Sequence, residues 1–128
     1  MDTNNVYIYG RMGNYMYTSW TGYVAPSSWG DINSMTMFDN NIFWLACDYD
    51  NILFTTNAGA NWSVKKPPQY GNEFLVGSYS IDRQTVYMVG QSAGYPTAGR
   101  ILQSIDGGNN WTLQYSGNVN LYKISFAK

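Results

Sequence analysis

Two short stretches carry the residue types from which chemistry is built. "CDYDN" at 47–51 sets Asp48 and Asp50 two residues apart beside the one thiol, Cys47. Two carboxylates about 5–10 Å apart could act as acid and base on a glycosidic bond. Alternate residues of a strand point to opposite faces, so this pair would work together only if a loop brought it round. "SIDGGNNW" at 104–111 sets a hydroxyl, Ser104, two residues before a carboxylate, Asp106. The chain contains no His, which removes the commonest general base and the commonest metal ligand together. A single Cys leaves zinc no ligand set, and "DYDN" lacks the downstream bidentate Glu that a calcium loop closes on. The expectation is a chain with no metal and no cofactor.

The second stretch has a near copy, "TTNAGANW" at 55–62. In both, an Asp or Asn side chain can accept the turn's N–H groups, Gly can supply a positive φ, and Trp can cover the base of a hairpin. Asn57 replaces Asp106 in the copy, keeping the capping oxygen and losing the charge. That exchange suits a cap and not a catalyst. Ser104, Asp106, Gly108 and Trp111, with Thr55, Asn57, Gly59 and Trp62, therefore read as structural turn residues.

The elements that hold these turns are short and alternate apolar with polar residues: "VYIYG" (6–10), "IFWLA" (42–46), "ILFTT" (52–56), "TVYMVG" (85–90) and "LYKISF" (121–126). Tyr, Ile, Val, Phe and Thr dominate them, Gly, Asn, Asp and Pro punctuate them, and no window has a helical stripe. The pattern recurs three times. "ILFTTNAGANWSV" (52–64) lines up with "RILQSIDGGNNWTL" (100–113), and a worn copy, "NYMYTSWTG" (14–22), sets Gly22 in the place of Gly59. Four strands per unit place the first at 34–38, 75–80 and 121–126, and the second at 5–10, 42–46 and 85–90. The third falls at 14–20, 51–57 and 100–105, and the fourth near 22–26, 62–66 and 111–115. The opening copy has no leading strand, and "NLYKISFAK" (120–128) resembles the leading "NSMTMFDN" of the second. The expected organisation is one domain, residues 1–128. It has a blade from 5–26 plus 121–126, a second from 33–66 and a third from 74–115, permuted by one strand.

Ser-x-Asp-x-Gly-x-x-Trp at 104–111 resembles the Asp-box of the BNR repeat β-propellers. Its "DGGNNW" portion is also similar to the photosystem II assembly-factor propellers. The match is full at 104–111, partial at 55–62 and degenerate at 18–22. The resemblance implies an all-β propeller in which the motif is a hairpin turn on the face away from any catalytic centre. Propellers carry four to eight blades, so three blades imply a homodimer forming one six-bladed ring, the last strand of each chain closing a blade of the other; the rival reading is a fragment of a longer protein. The sialidases of this family need an Arg triad, a Tyr–Glu nucleophile pair and an Asp acid. Here the arginines are Arg11, Arg83 and Arg100, the one glutamate is Glu73, and Arg83 falls in a turn on the Asp-box side. The expectation is therefore not an enzyme.

With 12% charged residues, net charge −1 and no Lys/Arg run, nucleic acid and anionic membrane are not expected partners. The opening "MDTNNVYIYG" lacks a basic and then apolar leader, and the expectation is a soluble chain without a signal peptide. Aromatics reach 17%, with twelve Tyr and five Trp. The loops opposite the Asp-box turns gather Arg11, Trp29, Asp31, Asp48, Tyr49, Tyr70, Asn72, Glu73, Tyr95 and Arg100 on one face. Exposed rings beside polar groups suit a sugar, and the expectation is a carbohydrate- or glycoconjugate-binding, lectin-like propeller. The alternative is a scaffold or assembly factor that holds a protein partner by the same face. A degenerate sialidase-like hydrolase is the third reading.

Overall fold

A computed structural model of the chain describes residues 30–67, 73–92 and 97–127. They form eight strands and no helix: β1 (Ile32–Met37), β2 (Phe43–Cys47), β3 (Ile52–Thr55), β4 (Ser63–Lys65), β5 (Glu73–Ser80), β6 (Val86–Ser92), β7 (Gly99–Ser104) and β8 (Thr112–Gly117). Strands β1–β4 make one antiparallel meander and β5–β8 a second, each ordered as in the sequence. These are the strands expected for the second and third units, with ends moved by at most two residues. The first unit, 5–26, lies outside the described residues.

The two sheets repeat one another in register. Ser34 faces Ala46 after a bulge at Ile32/Ser34, and Gly77 faces Val89 after a bulge at Leu75/Gly77. Thr36 faces Trp44 as Tyr79 faces Tyr87. Gly77, Tyr79 and Tyr87 therefore stand in the second sheet where Ser34, Thr36 and Trp44 stand in the first.

Face-to-face packing of the sheets forms the main core. Trp44, Ala46, Ile52 and Phe54 from the first meet Leu75, Val86, Met88, Leu102 and Trp111 from and beside the second. Trp44 stacks on Phe54 with ring centroids 4.0 Å apart and meets Trp111 edge-on at 6.5 Å. Burying each such large side chain contributes about 1.5–3 kcal/mol. The strands β1 and β5 lie side by side, bonded through Ser34 and Ser78 hydroxyls 2.9 Å apart and through Ser80 N donating to Thr36 Oγ1 at 2.9 Å. The far face of the first sheet holds a second cluster of Ile32, Phe43, Leu45, Cys47 and Leu53. Burial there pushes the Cys47 thiol up to about 12, and it forms no disulfide.

Residues 121–127 depart from expectation. The segment forms no strand; it crosses beside β5, with Phe126 against both Tyr79 and Tyr87 at 5.0 Å. A strand needs a ladder partner, and the chain offers this segment none among the described residues.

Candidate functional site

Turns at the two ends of the sheets differ in what their side chains are left free to do. At one end the β3–β4 and β7–β8 turns are built alike. Ser104 Oγ accepts from Gly108 N at 2.8 Å and donates to Asp106 Oδ1 at 3.0 Å, and Asp106 Oδ1 accepts from Asn110 N at 2.8 Å. Thr55 Oγ1 accepts from Gly59 N at 3.0 Å and donates to Asn57 Oδ1 at 2.9 Å, and Asn57 Oδ1 accepts from Asn61 N at 2.9 Å. Gly59 and Gly108 have φ of +87° and +80°, conformations that suit glycine. Ala58 N and Gly107 N each bond back to the neighbouring turn, on Asn41 O and Gln84 O, both at 3.0 Å. Trp111 Nε1 donates to Gly108 O at 3.1 Å. Hydroxyl and carboxylate are thus consumed in holding the turn. The amides of Asn110 hold the Asp106 carboxyl below the usual carboxylate range.

The opposite end is built differently. The β2–β3 connection turns at Tyr49 and Asp50, whose φ values are +58° and +59°. Two successive left-handed residues define a tight hairpin turn that normally takes Asn-Gly or Gly-Gly. A Tyr there is strained, and strain of this kind costs on the order of 1–3 kcal/mol. Asn51 fastens the turn from below, its N and Nδ2 both donating to Asp48 O, at 3.2 and 3.1 Å. Asp50 and Asn51 are buried, while Tyr49 is thrust out to 60% exposure.

Around that ring the structure gathers a small polar and aromatic surface. Asp48 accepts from Asn33 Nδ2 at 2.8 Å and from Asp31 N at 3.3 Å, and its own N donates to Asp31 O at 3.1 Å. Asn33 Nδ2 also donates to Leu75 O at 3.0 Å, tying the turn to the second sheet. Phe74, 38% exposed, lies against Tyr49 with ring centroids 6.1 Å apart and planes at 53°. Gly30 passes beneath: a Cβ there would fall 2.8 Å from Asp48 Cβ and 3.3 Å from Tyr49 Cδ2. The arrangement is an aromatic pair standing proud beside the Asp48 carboxylate, to which Asp31 is joined through its backbone. It presents contact area and acceptors for a cation or an N–H donor.

Of the expected binding residues, Asp31, Asp48 and Tyr49 come together. Arg100 stands in β7 opposite Gly90 and Ser116, in the second sheet. Glu73 opens β5 opposite Ser92. Arg11, Trp29, Tyr70, Asn72 and Tyr95 lie outside the described residues. Asp48 and Asp50 are turn residues and not strand neighbours, one on the surface network and one buried. Sequence reading missed Asn33 and Phe74. The available signal was Tyr-Asp standing where a two-residue hairpin wants Asn-Gly. Among the described residues no group of three His, Cys, Asp or Glu is placed to hold a metal ion, and no helix is long and apolar enough to cross a membrane.

No family model matches the chain, and no curated protein sequence matches it. Among solved structures, one described as "YCF48 bound to D1 peptide" aligns with a TM-score of 0.53 at 16% identity, covering 88% of this chain and 30% of that one. This chain thus spans less than a third of that chain's length. With two like four-stranded meanders packed face to face, the likeness shows an all-β, propeller-like fold.

Proposed function

We propose that the chain is a non-catalytic binding scaffold for a protein segment, using the surface of Tyr49, Phe74, Asp31 and Asp48. The observation that carries this reading is the strained turn that holds Tyr49 outward. Strain at a functional turn pre-organises a contact instead of stabilising the fold. A neighbour of like fold that holds a peptide supports a protein partner over a sugar. The chemistry that fits is an extended segment with an apolar or aromatic residue for the two rings and an Arg, Lys or free N–H for the carboxylates. The reading includes no metal, no cofactor and no sialidase chemistry. Panning a random peptide library on the protein, with Tyr49→Ala as the counter-target, should enrich basic peptides bearing an apolar anchor, at least tenfold over the variant. Enrichment that ignores Tyr49 would overturn this surface, and hits confined to a glycan array would return the lectin reading to first place.

We read the repeats as blades of the BNR/Asp-box kind, permuted by one strand, two copies of the chain completing a six-bladed ring. The recurrence of one strand-and-turn pattern in three units supports this, since three blades alone leave wedge-shaped gaps between twisted sheets. Light scattering should give twice 14.5 kDa. A mass of one chain overturns it.

A further inference from the structure

Asp48 is held differently from Asp39, Asp82 and Asp106. Those three are spent on the N–H groups of their own turns, and Asp39 also pairs with Arg83. The Asp48 carboxylate is anchored from across the sheet: Oδ1 accepts from Asn33 Nδ2 in β1 and Oδ2 from Asp31 N just before it. Both anchors are neutral N–H groups, so the negative charge is not cancelled, and among the described residues no cation pairs with it. One bond to each oxygen fixes the plane of the group and leaves each with room for another. The stem of Asp48 and the ring of Tyr49 stand over the same residue. A Cβ placed on Gly30 would lie 2.8 Å from Asp48 Cβ and 3.3 Å from Tyr49 Cδ2, so carboxylate stem and ring edge are neighbours on one side of the turn. Phe74 adds a second ring, tilted 53° to the first.

Exposure decides which cation such a surface takes. Tyr49 is 60% exposed, so a group lying on its ring stays partly in water. An ammonium is compact and strongly hydrated, and beside an open ring it would give up hydration for a single point contact. A guanidinium is planar, weakly hydrated and forked. One of its faces can lie on an aromatic ring while its edge donates two parallel N–H bonds to a carboxylate. A ring beside a carboxylate of fixed plane supplies both halves of that demand. We propose that the Tyr49 surface selects an arginine side chain of the bound segment, Asp48 taking the fork of the guanidinium and Tyr49, flanked by Phe74, taking its face. The inference rests on the protein-segment reading above and names the residue that the segment must carry. Asp48 sets the specificity, since an aromatic pair alone accepts any apolar or cationic group.

The test titrates N-acetyl-arginine amide into the nitrogen-labelled protein and follows backbone amide signals, with the N-acetyl amides of lysine and citrulline as comparators. Citrulline keeps the planar shape and loses the charge and the fork. Arginine should shift the signals of Gly30 and residues 48–51 with an affinity at least about fivefold above that of lysine, and citrulline should leave them in place. Asp48→Asn should bring arginine down to the level of lysine. Tyr49→Leu, which keeps an apolar side chain on the turn, should weaken arginine by about threefold or more, and it carries the test if Asp48→Asn does not fold. Equal affinities for arginine and lysine, shifts caused by citrulline, or silence of all three probes overturn the arginine assignment. So does an arginine response that survives Asp48→Asn in the folded variant, or one that lies away from the Tyr49 turn. In each of those cases, library peptides that depend on Tyr49 leave the scaffold reading standing; peptides that ignore Tyr49 overturn both.

Discussion

In the first sheet every residue of β2, Phe43 through Cys47, is buried, because Trp44 and Ala46 face the second sheet and Phe43, Leu45 and Cys47 fill a cluster behind. In the second sheet β6 buries Val86 and Met88 toward the first sheet, while Tyr87 on the other face stays half-buried under Phe126. The same strand, in the same register, is thus a core strand in one unit and a boundary strand in the other. The residue types follow. Trp44 and Phe54 are replaced at the matching positions by Tyr87 and Gln103, whose Nε2 donates to Tyr87 Oη at 2.6 Å. A hydroxyl and an amide are tolerated on a half-buried face; they would be costly in a sealed one.

The sharpest way to break this contrast is truncation at the matching pair. Trp44→Ala empties a site sealed by Phe54, Trp111 and Gly108 and should cost about 3–5 kcal/mol in urea unfolding. Tyr87→Ala, measured at protein concentrations low enough to separate any copies, should cost less than half as much. Equal losses would mean that the second sheet's outer face is as much core as the first's.

Glycines in the β7–β8 turn give the next effect. Gly108 has φ +80°, and a Cβ there would come 2.9 Å from Trp44 Cζ3, so Gly108→Ala adds a clash to backbone strain. About 2–4 kcal/mol should be lost. Gly107 has φ +70° with nothing within 4 Å, and its counterpart in the first turn is Ala58 at φ +57°. Gly107→Ala should therefore cost only about 1 kcal/mol. The first turn already shows that an alanine is accepted there.

These paired positions also mark what the sequence made legible. The strands of both sheets were readable because alternation with period two and a repeated turn are local signals. Turn chemistry was readable for the same reason: Thr55–Asn57 and Ser104–Asp106 lie two residues apart and bond to amides within the next four. The surface around Tyr49 was only half legible. Asn33 reaches Leu75, 42 residues away, and Phe74 meets Tyr49 from another sheet, so no local pattern announces either. Segment 121–126 has the composition of a strand, but a ladder is a property of two segments, and the described residues supply one.

Tyr49 offers a smaller and opposite effect. Replacing it by glycine removes a bulky side chain from φ +58°, so Tyr49→Gly should raise stability by about 0.5–1 kcal/mol in the same urea titration. The same variant should lose the peptides selected by the wild type. A residue that weakens the fold and strengthens a contact is placed for the contact. A loss of stability instead would make Tyr49 a packing residue on Phe74 and Gly30.

The smallest effect separates the two capped turns by pH. Asp106 is held below the usual carboxylate range chiefly by the Asn110 N–H and side-chain amide, whereas Asn57 does the same capping without a charge. A carboxyl depressed in the folded state stabilises it above the unfolded pKa, about 4, and that contribution is lost as pH falls through the folded value. Asp106→Asn should therefore lower the melting temperature slightly at neutral pH, and the deficit should close as pH drops below about 4. Asn57→Asp in the other turn should show the mirror image, a small gain above that pH and none below. Asp39 and Asp82, depressed by the N–H groups of Asn41 and Gln84, are common to wild type and both variants and cancel in the difference. Melting curves that stay parallel through the acid range would mean that the Asp106 charge adds nothing to its shape as a cap.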